Sequence, residues 1–449
     1  MDARPISNPH SSRSMMLNVG PQHPAMHGII RIAVEIEGET VLGADVDIGY
    51  LHRGFEKMCE QGPYNNAIPY TDRLNYVSPL INNFGYCMAV EKLLDVEVPE
   101  RCQYIRLILS ELSRLTDHLT CVGATTMELG MMTAFLYLMK AREYLYDVID
   151  GVTGARVTNS YGRIGGVKAD LPDDFKARTK KAVADVRRVL AEIKPMLDQN
   201  RIFLDRLKGV GVVSRETAVG YGITGPFLRS TGIDYDVRKN NPYFVYDRLD
   251  FDVPVGTVGD NYDRYLVRIE EMHQSMRLVE QALARIPGGP VRNTQFDSAV
   301  LEGAAMVDDA KMGRTMGMLD TRANTDPTLE GTGRTFEGGV RIADKQVALP
   351  AKEDVYGNIE GLMNHFKLVM HGHGIRPRSA EAYAPVEGAN GELGFYIISD
   401  GTDKPYRVRV RPPCFPIMAA LGKILIGGQF ADIVPTFGSV NMIGGELDR

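Results

Sequence analysis

The chain has 449 residues, 44% hydrophobic and 24% charged, an ordinary globular balance on a length sufficient for two or three lobes. A net charge of −6 with no basic stretch excludes a nucleic-acid binder. The five cysteines (Cys59, Cys87, Cys102, Cys121, Cys414) are odd in number and form no CxxC pair. That excludes a disulfide scaffold, suits a reducing compartment, and leaves no closely spaced thiolates with which this chain alone would hold zinc or an iron–sulfur cluster.

No apolar run approaches the roughly 20 residues of a bilayer span, and residues 1–13 lack the apolar core of a secretory signal. Residues 1–14 read as a disordered N-terminus and 15–49 as a small β lobe of three strands. Between the first two strands lies Gly20-Pro21-Gln22-His23-Pro24-Ala25-Met26-His27-Gly28. Its prolines and glycines forbid regular structure, so a tight loop is expected to hold His23 and His27 on a stiff, exposed backbone. An imidazole so placed can donate a proton near neutral pH; equally, the imidazoles can simply cap backbone carbonyls of a turn.

Residues 50–290 read as a helical core. A helix is expected from Leu51, another over 82–94, and a long one from Pro99-Glu100, with Ile105, Ile108, Leu112, Leu115 and Leu119 at helical spacing. Gly123 to Gly130 is expected to break it. The run 131–152 is apolar nearly all round and is expected at the centre of a bundle. Polar amphipathic helices follow over 173–205 and 260–286, with 209–259 reading as loops and short strands. Residues 291–350 read as an extended insertion. Residues 351–449 form an α+β part with a helix over 356–371 and strands over 394–399 and 406–410.

Gly220-Tyr221-Gly222-Ile223-Thr224-Gly225 fits GxGxxG, but Pro226 follows and no long helix opens there, so a dinucleotide site is not supported. His371 and His373 alone do not make a metal site. If the chain takes part in redox chemistry, electrons must come from a partner or a bound organic molecule.

Eight ordered blocks nevertheless resemble one family. The histidine loop, residues 48–57 (IGYLHRGFEK) and Asp72-Arg73-Leu74-Asn75-Tyr76 come first, then Glu111-Leu112-Ser113-Arg114-Leu115 and Arg163-Ile164-Gly165-Gly166-Val167. Tyr235-Asp236-Val237-Arg238-Lys239, Gly391-Glu392-Leu393-Gly394 and Pro405-Tyr406-Arg407 complete the set. Together they resemble the D subunits of respiratory complex I, the large catalytic subunits of NADH:quinone oxidoreductase, over residues 15 to 449. The resemblance implies an α+β fold like that of the nickel–iron hydrogenase large subunit, with a central helical bundle, a small N-terminal β lobe and an α+β C-terminal part. The metal-holding cysteine pairs are missing, which implies an emptied cavity reused for quinone.

The same resemblance implies that His27 and Tyr76 are the proton donors, with Glu128 pairing the histidine. His23 and Met26 would join them around the quinone, and Arg73 and Arg53 would lie near a partner's iron–sulfur cluster. Quinone is then the substrate, no metal is held here, and NAD binds elsewhere in the complex. The implied partners within complex I are the iron–sulfur B subunit, the C and I subunits, and the membrane-embedded H subunit, on the cytoplasmic side of the bacterial inner membrane. The implied activity, passing electrons to quinone in a proton-pumping complex, has two alternatives: the same subunit in a relative fed by ferredoxin or another donor, or a scaffold that lost the chemistry. Three departures stand out. Ala25-Met26 replaces the usual Ser-Thr, Glu128 is one methylene longer than the usual aspartate, and Thr158 stands where many members carry a histidine that couples cluster potential to pH. A weaker pH dependence of that potential is therefore expected.

Overall fold

The computed structural model describes residues 14–293 and 348–449. The expected disordered stretch at 1–13 and nearly all of the expected insertion at 291–350 lie outside the described residues. Ser14, taken with the disordered end, already begins strand β1.

An antiparallel sheet opens the chain, with β1 (Ser14–Val19), β2 (Arg31–Glu37) and β3 (Thr40–Asp47) in that order. Leu17 faces Val34 and Val19 faces Ile32 across β1 and β2. The inward residues Ile32, Val34 and Val41 are buried, the alternation expected of a sheet covered on one side. The cover comes from the far end of the chain, α14 (Cys414–Leu425) and α15 (Ile433–Val440), so Met26, Ile32, Ile417, Leu421 and Phe437 share one core.

The helical part starts with the short α1 (Phe55–Cys59) and α2 (Ile68–Thr71), followed by α3 (Pro79–Leu94), α4 (Glu100–Glu128) and α5 (Met132–Thr153). Two expectations fail here. Helix α4 does not break at Gly123 but runs on to Glu128, because α5 packs against that glycine: a Cβ there would stand 2.9 Å from the Met139 methyl. And α4, not α5, is central: its residues from Cys102 to Thr126 are almost all buried, whereas α5 keeps Met132, Leu136 and Tyr137 exposed. The short strands β4 (Gly162–Arg163) and β5 (Gly166–Val167) follow.

The expected helix over 173–205 is two, α6 (Phe175–Asp198) and α7 (Arg201–Leu207), because the Asn200 side chain accepts from Phe203 N–H and starts a new helix. Residues 209–259 hold short helices rather than strands: α8 (Arg215–Gly220), α9 (Gly225–Arg229) and α10 (Val237–Asn240), the first and last opened by the side-chain caps of Ser214 and Asp236. Helix α11 (Asn261–Arg285) begins on the cap Asp260. The helix expected over 356–371 is likewise split at Asn358 into α12 (Lys352–Gly357) and α13 (Ile359–Val369). A third antiparallel sheet follows, β6 (Ala380–Gly388), β7 (Gly391–Ser399) and β8 (Arg407–Arg411), of which β6 was not anticipated. After α14 and α15 comes α16 (Gly444–Asp448).

A buried ion network locks the β6–β8 sheet to the bundle. Glu111 accepts from Tyr246 Oη (2.6 Å), Ser275 Oγ (2.7 Å), Arg114 Nε (3.2 Å) and Arg238 Nη1 (3.3 Å). Arg238 also donates to Asp236 (2.7 Å), and Arg229 bridges Glu271 (2.5 Å) to Glu387 (2.9 Å). Glu271 in turn meets His118 Nε2 at 2.8 Å. Five elements (α4, α9, α10, α11 and β6) are thus tied through groups that water does not reach.

Candidate functional site

Four segments converge where the first sheet meets the bundle: the loop between β1 and β2, the C-terminal end of α4, the segment 72–78 before α3, and the run from α15 to α16.

In the loop, Pro24–Met26 form one 3-10 turn. His23 caps it, its Nδ1 accepting from Ala25 N–H at 3.2 Å. His23 is thus a capping residue, but of an amide N–H and not of a backbone carbonyl as the capping reading expected. Met26 is fully buried in the core beneath the turn. His27 follows with φ at +56°, in the left-handed region that non-glycine residues seldom occupy. Its ring is half exposed and packs edge-on with Phe437, the ring centroids 6.2 Å apart.

His27 Nε2 stands 3.7 Å from Glu128 Oε1, and the Glu128 side chain is only 7% exposed. The other carboxylate oxygen, Oε2, is buried and makes no hydrogen bond. It lies against Gly438 of α15, where any side chain would collide with it. A buried carboxylate with a free oxygen beside a half-exposed imidazole is a polar pair with hydrogen-bonding capacity left unused.

Tyr76 is 42% exposed between buried neighbours: Asn75 and Val77 on either side and Leu74 and Ser78 beyond. Partial burial raises its phenol pKa, and the Asp117 carboxylate raises it further against the pull of Arg53. The hydroxyl therefore stays protonated at neutral pH and can donate a hydrogen bond. On the same rim, Arg53 Nη2 donates to Arg73 O (2.8 Å), and Arg73 Nη1 to Asp72 (2.9 Å) and to Pro69 O (2.7 Å). Burial lifts the Asp72 carboxyl to about 6, against the neighbouring Arg73. His52 Nδ1 meets Asp448 O at 2.6 Å, while the Asp448 carboxylate accepts from the amides of Gly49 (3.0 Å) and Leu51 (2.8 Å).

Helix α15 is thus a shared wall. Phe437 and Gly438 touch His27 and Glu128, and its C-cap Asn441 donates to Asp117 (2.7 Å), which holds the Tyr76 segment. Sequence reasoning missed Phe437, Gly438, Asn441 and Asp117. Three of them lie about 300 residues or more from the residues they serve, and only the long-range packing reveals them. Burial pushes the Cys59 and Cys87 thiols up to about 12 and those of Cys102 and Cys121 to about 11, which keeps them unreactive. Among the described residues, no group of three or more His, Cys, Asp or Glu side chains could hold a metal ion, and no helix is long and apolar enough to cross a membrane.

Comparison with known proteins gives the chain its relatives. The family model described as "Respiratory-chain NADH dehydrogenase, 49 Kd subunit" matches residues 128–324 and 329–449. The first of the numbered D subunits of NADH-quinone oxidoreductase in Sorangium cellulosum is 49% identical over 438 residues, covering 98% of this chain and 96% of the relative. The corresponding D subunit of Myxococcus xanthus is also 49% identical, covering 98% and 93%. The C/D subunit of NADH-quinone oxidoreductase from Bdellovibrio bacteriovorus is 45% identical over 98% of this chain, which spans 69% of that longer relative. The chain belongs to the 49 kDa subunit family of the respiratory-chain NADH dehydrogenase, the D subunits of the NADH-quinone oxidoreductase complex.

Proposed function

We propose that this chain forms the quinone-reduction site of its complex, with the quinone head held between His27 and Tyr76. The observation that carries this reading is the pairing of a half-exposed His27 with the buried, under-bonded Glu128, one helix wall away from an exposed, protonated Tyr76. A quinone that takes up two electrons must also take up two protons, one on each carbonyl oxygen. His27 would supply one from its imidazolium and Tyr76 the other from its phenol, each recovering a proton from water between turnovers. Glu128 stabilises the charged imidazole until the transfer. Met26 supports the loop from below, His23 fixes its turn, and both belong to the quinone-binding segment.

The electrons would come from an iron–sulfur cluster on the neighbouring B subunit, with Arg73 and Arg53 on the facing rim, where their charge favours the reduced state. NAD is bound elsewhere in the complex. The name of the Bdellovibrio relative, which joins C and D, supports a place beside the C subunit. The exposed apolar start of α5 (Met132, Leu136, Tyr137) suits a partner surface such as that of the membrane-embedded H subunit; the I subunit would complete the set. The chain would then lie peripherally on the cytoplasmic side of the inner membrane. The kinship with the nickel–iron hydrogenase large subunit is part of the same reading, with the cysteines free and dispersed.

The test is His27→Ala in the assembled complex. Quinone reduction is expected to disappear while electron flow from NADH to ferricyanide persists; unchanged quinone reduction removes His27 as donor. Co-purification of the same subunits without an NADH-binding flavoprotein would replace the electron source and leave the site intact.

A further inference from the structure

The segment that carries Tyr76 is anchored from beneath by one carboxylate. Asp117, on α4, is fully buried. Its Oδ2 accepts from Asn75 Nδ2 (2.9 Å) and Ser78 Oγ (2.6 Å), the residues just before and two after Tyr76. Its Oδ1 accepts from Asn441 Nδ2 (2.7 Å). Asn75 passes the constraint on, its own Oδ1 accepting from the amides of Val77 (3.1 Å) and Ser78 (3.3 Å). The Asn75 carbonyl accepts from Asn82 (3.0 Å), and Thr116, next to Asp117, donates to Val77 O (3.2 Å).

A buried carboxylate is costly unless several donors converge on it, and here three neutral donors do. Two belong to the Tyr76 segment. The third, Asn441, is held in the left-handed region at φ +56° and caps the helix whose Phe437 and Gly438 line the His27–Glu128 pair. Asp117 therefore links the two halves of the site through hydrogen bonds.

We propose that Asp117 is a positioning residue for the quinone reaction: through Asn75 and Ser78 on one side and Asn441 on the other, it sets the placement of the Tyr76 hydroxyl relative to His27. This rests on the reading of His27 and Tyr76 as donors. Asparagine at 117 would present an N–H₂ to one of these donors, so part of the network must turn away and the Tyr76 segment must shift. Misplacement of a reacting group by a fraction of an ångström costs rate without loss of fold.

The experiment is a double-mutant cycle in the whole complex, with Asp117→Asn, Tyr76→Phe and the pair together. The readouts are kcat and KM for a short-chain quinone, with NADH-to-ferricyanide electron flow as the assembly control. Asp117→Asn is expected to lower quinone kcat/KM about tenfold with Tyr76 present and less than about twofold once Tyr76 is phenylalanine, the non-additivity of groups that act as one unit. Equal losses in the two backgrounds overturn the inference, as does full activity of Asp117→Asn. If Asp117→Asn abolishes assembly, Ser78→Ala carries the same cycle, because it removes only the 2.6 Å contact. A Tyr76→Phe complex with undiminished quinone reduction overturns the donor reading itself, a result distinct from additivity.

Discussion

The molecule has two polar centres that differ in finish. Around Glu111, Arg229 and Arg238, every charged group is buried and engaged by partners of opposite sign. Around His27, the ring is half exposed, its carboxylate partner stands at 3.7 Å, and one oxygen of that partner has no hydrogen bond. A closed network cannot change its geometry without the full desolvation cost, so it serves as cement. The open pair keeps spare hydrogen-bonding capacity next to solvent, which proton transfer to a bound molecule requires.

The largest effect should come from breaking the closed centre. Arg238→Ala leaves Glu111 and Asp236 buried with fewer counter-charges, and is expected to cost about 3–5 kcal/mol; thermal or denaturant unfolding measures it. A loss below about 1 kcal/mol would mean the network is dispensable and the contrast false.

A second break uses pH. Glu446, buried within α16, has its carboxyl raised to about 7, chiefly by burial. A carboxyl whose folded value lies above its unfolded one contributes stability that is complete below the unfolded value near 4.5 and is lost as pH rises through about 7. Glu446→Gln should therefore gain on the natural chain between about pH 5 and about pH 8. Parallel stability curves for the two chains would remove Glu446 from the account.

At the open pair, Glu128→Gln keeps the shape and removes the charge. Quinone turnover should fall about tenfold while stability changes by less than about 0.5 kcal/mol. A large stability loss with normal turnover would reverse the roles of the two centres. The smallest effect belongs to Ser275→Ala, which deletes one 2.7 Å bond to Glu111 and should cost about 1 kcal/mol with no change in quinone kinetics.

How much of this was legible in the sequence depended on distance along the chain. The first sheet, α3, α11 and its Asp260 cap follow from local patterns, as does the exposed histidine loop. The meeting of His27 with Glu128 was reachable only through resemblance, because 101 positions separate them and no local spacing encodes it. Gly123 looked like a helix breaker and proved a packing notch for Met139, since helix propensity yields to tertiary contact. The caps at Asn200 and Asn358 divided two helices that periodicity alone had joined. The run 131–152, apolar nearly all round, suggested a central helix. Met132, Leu136 and Tyr137 instead face outward, a distinction composition cannot make.

The bonds from Asp448 to Gly49 and Leu51 cross almost 400 residues. On the ribosome, the histidine loop emerges long before its wall α15 and the Asp448 clasp are made. At roughly 5–20 residues per second, the loop waits tens of seconds without its cover. The pairing of His27 with Glu128 therefore gains its α15 wall, and the segment after β3 its Asp448 clasp, only when the last residues have been added.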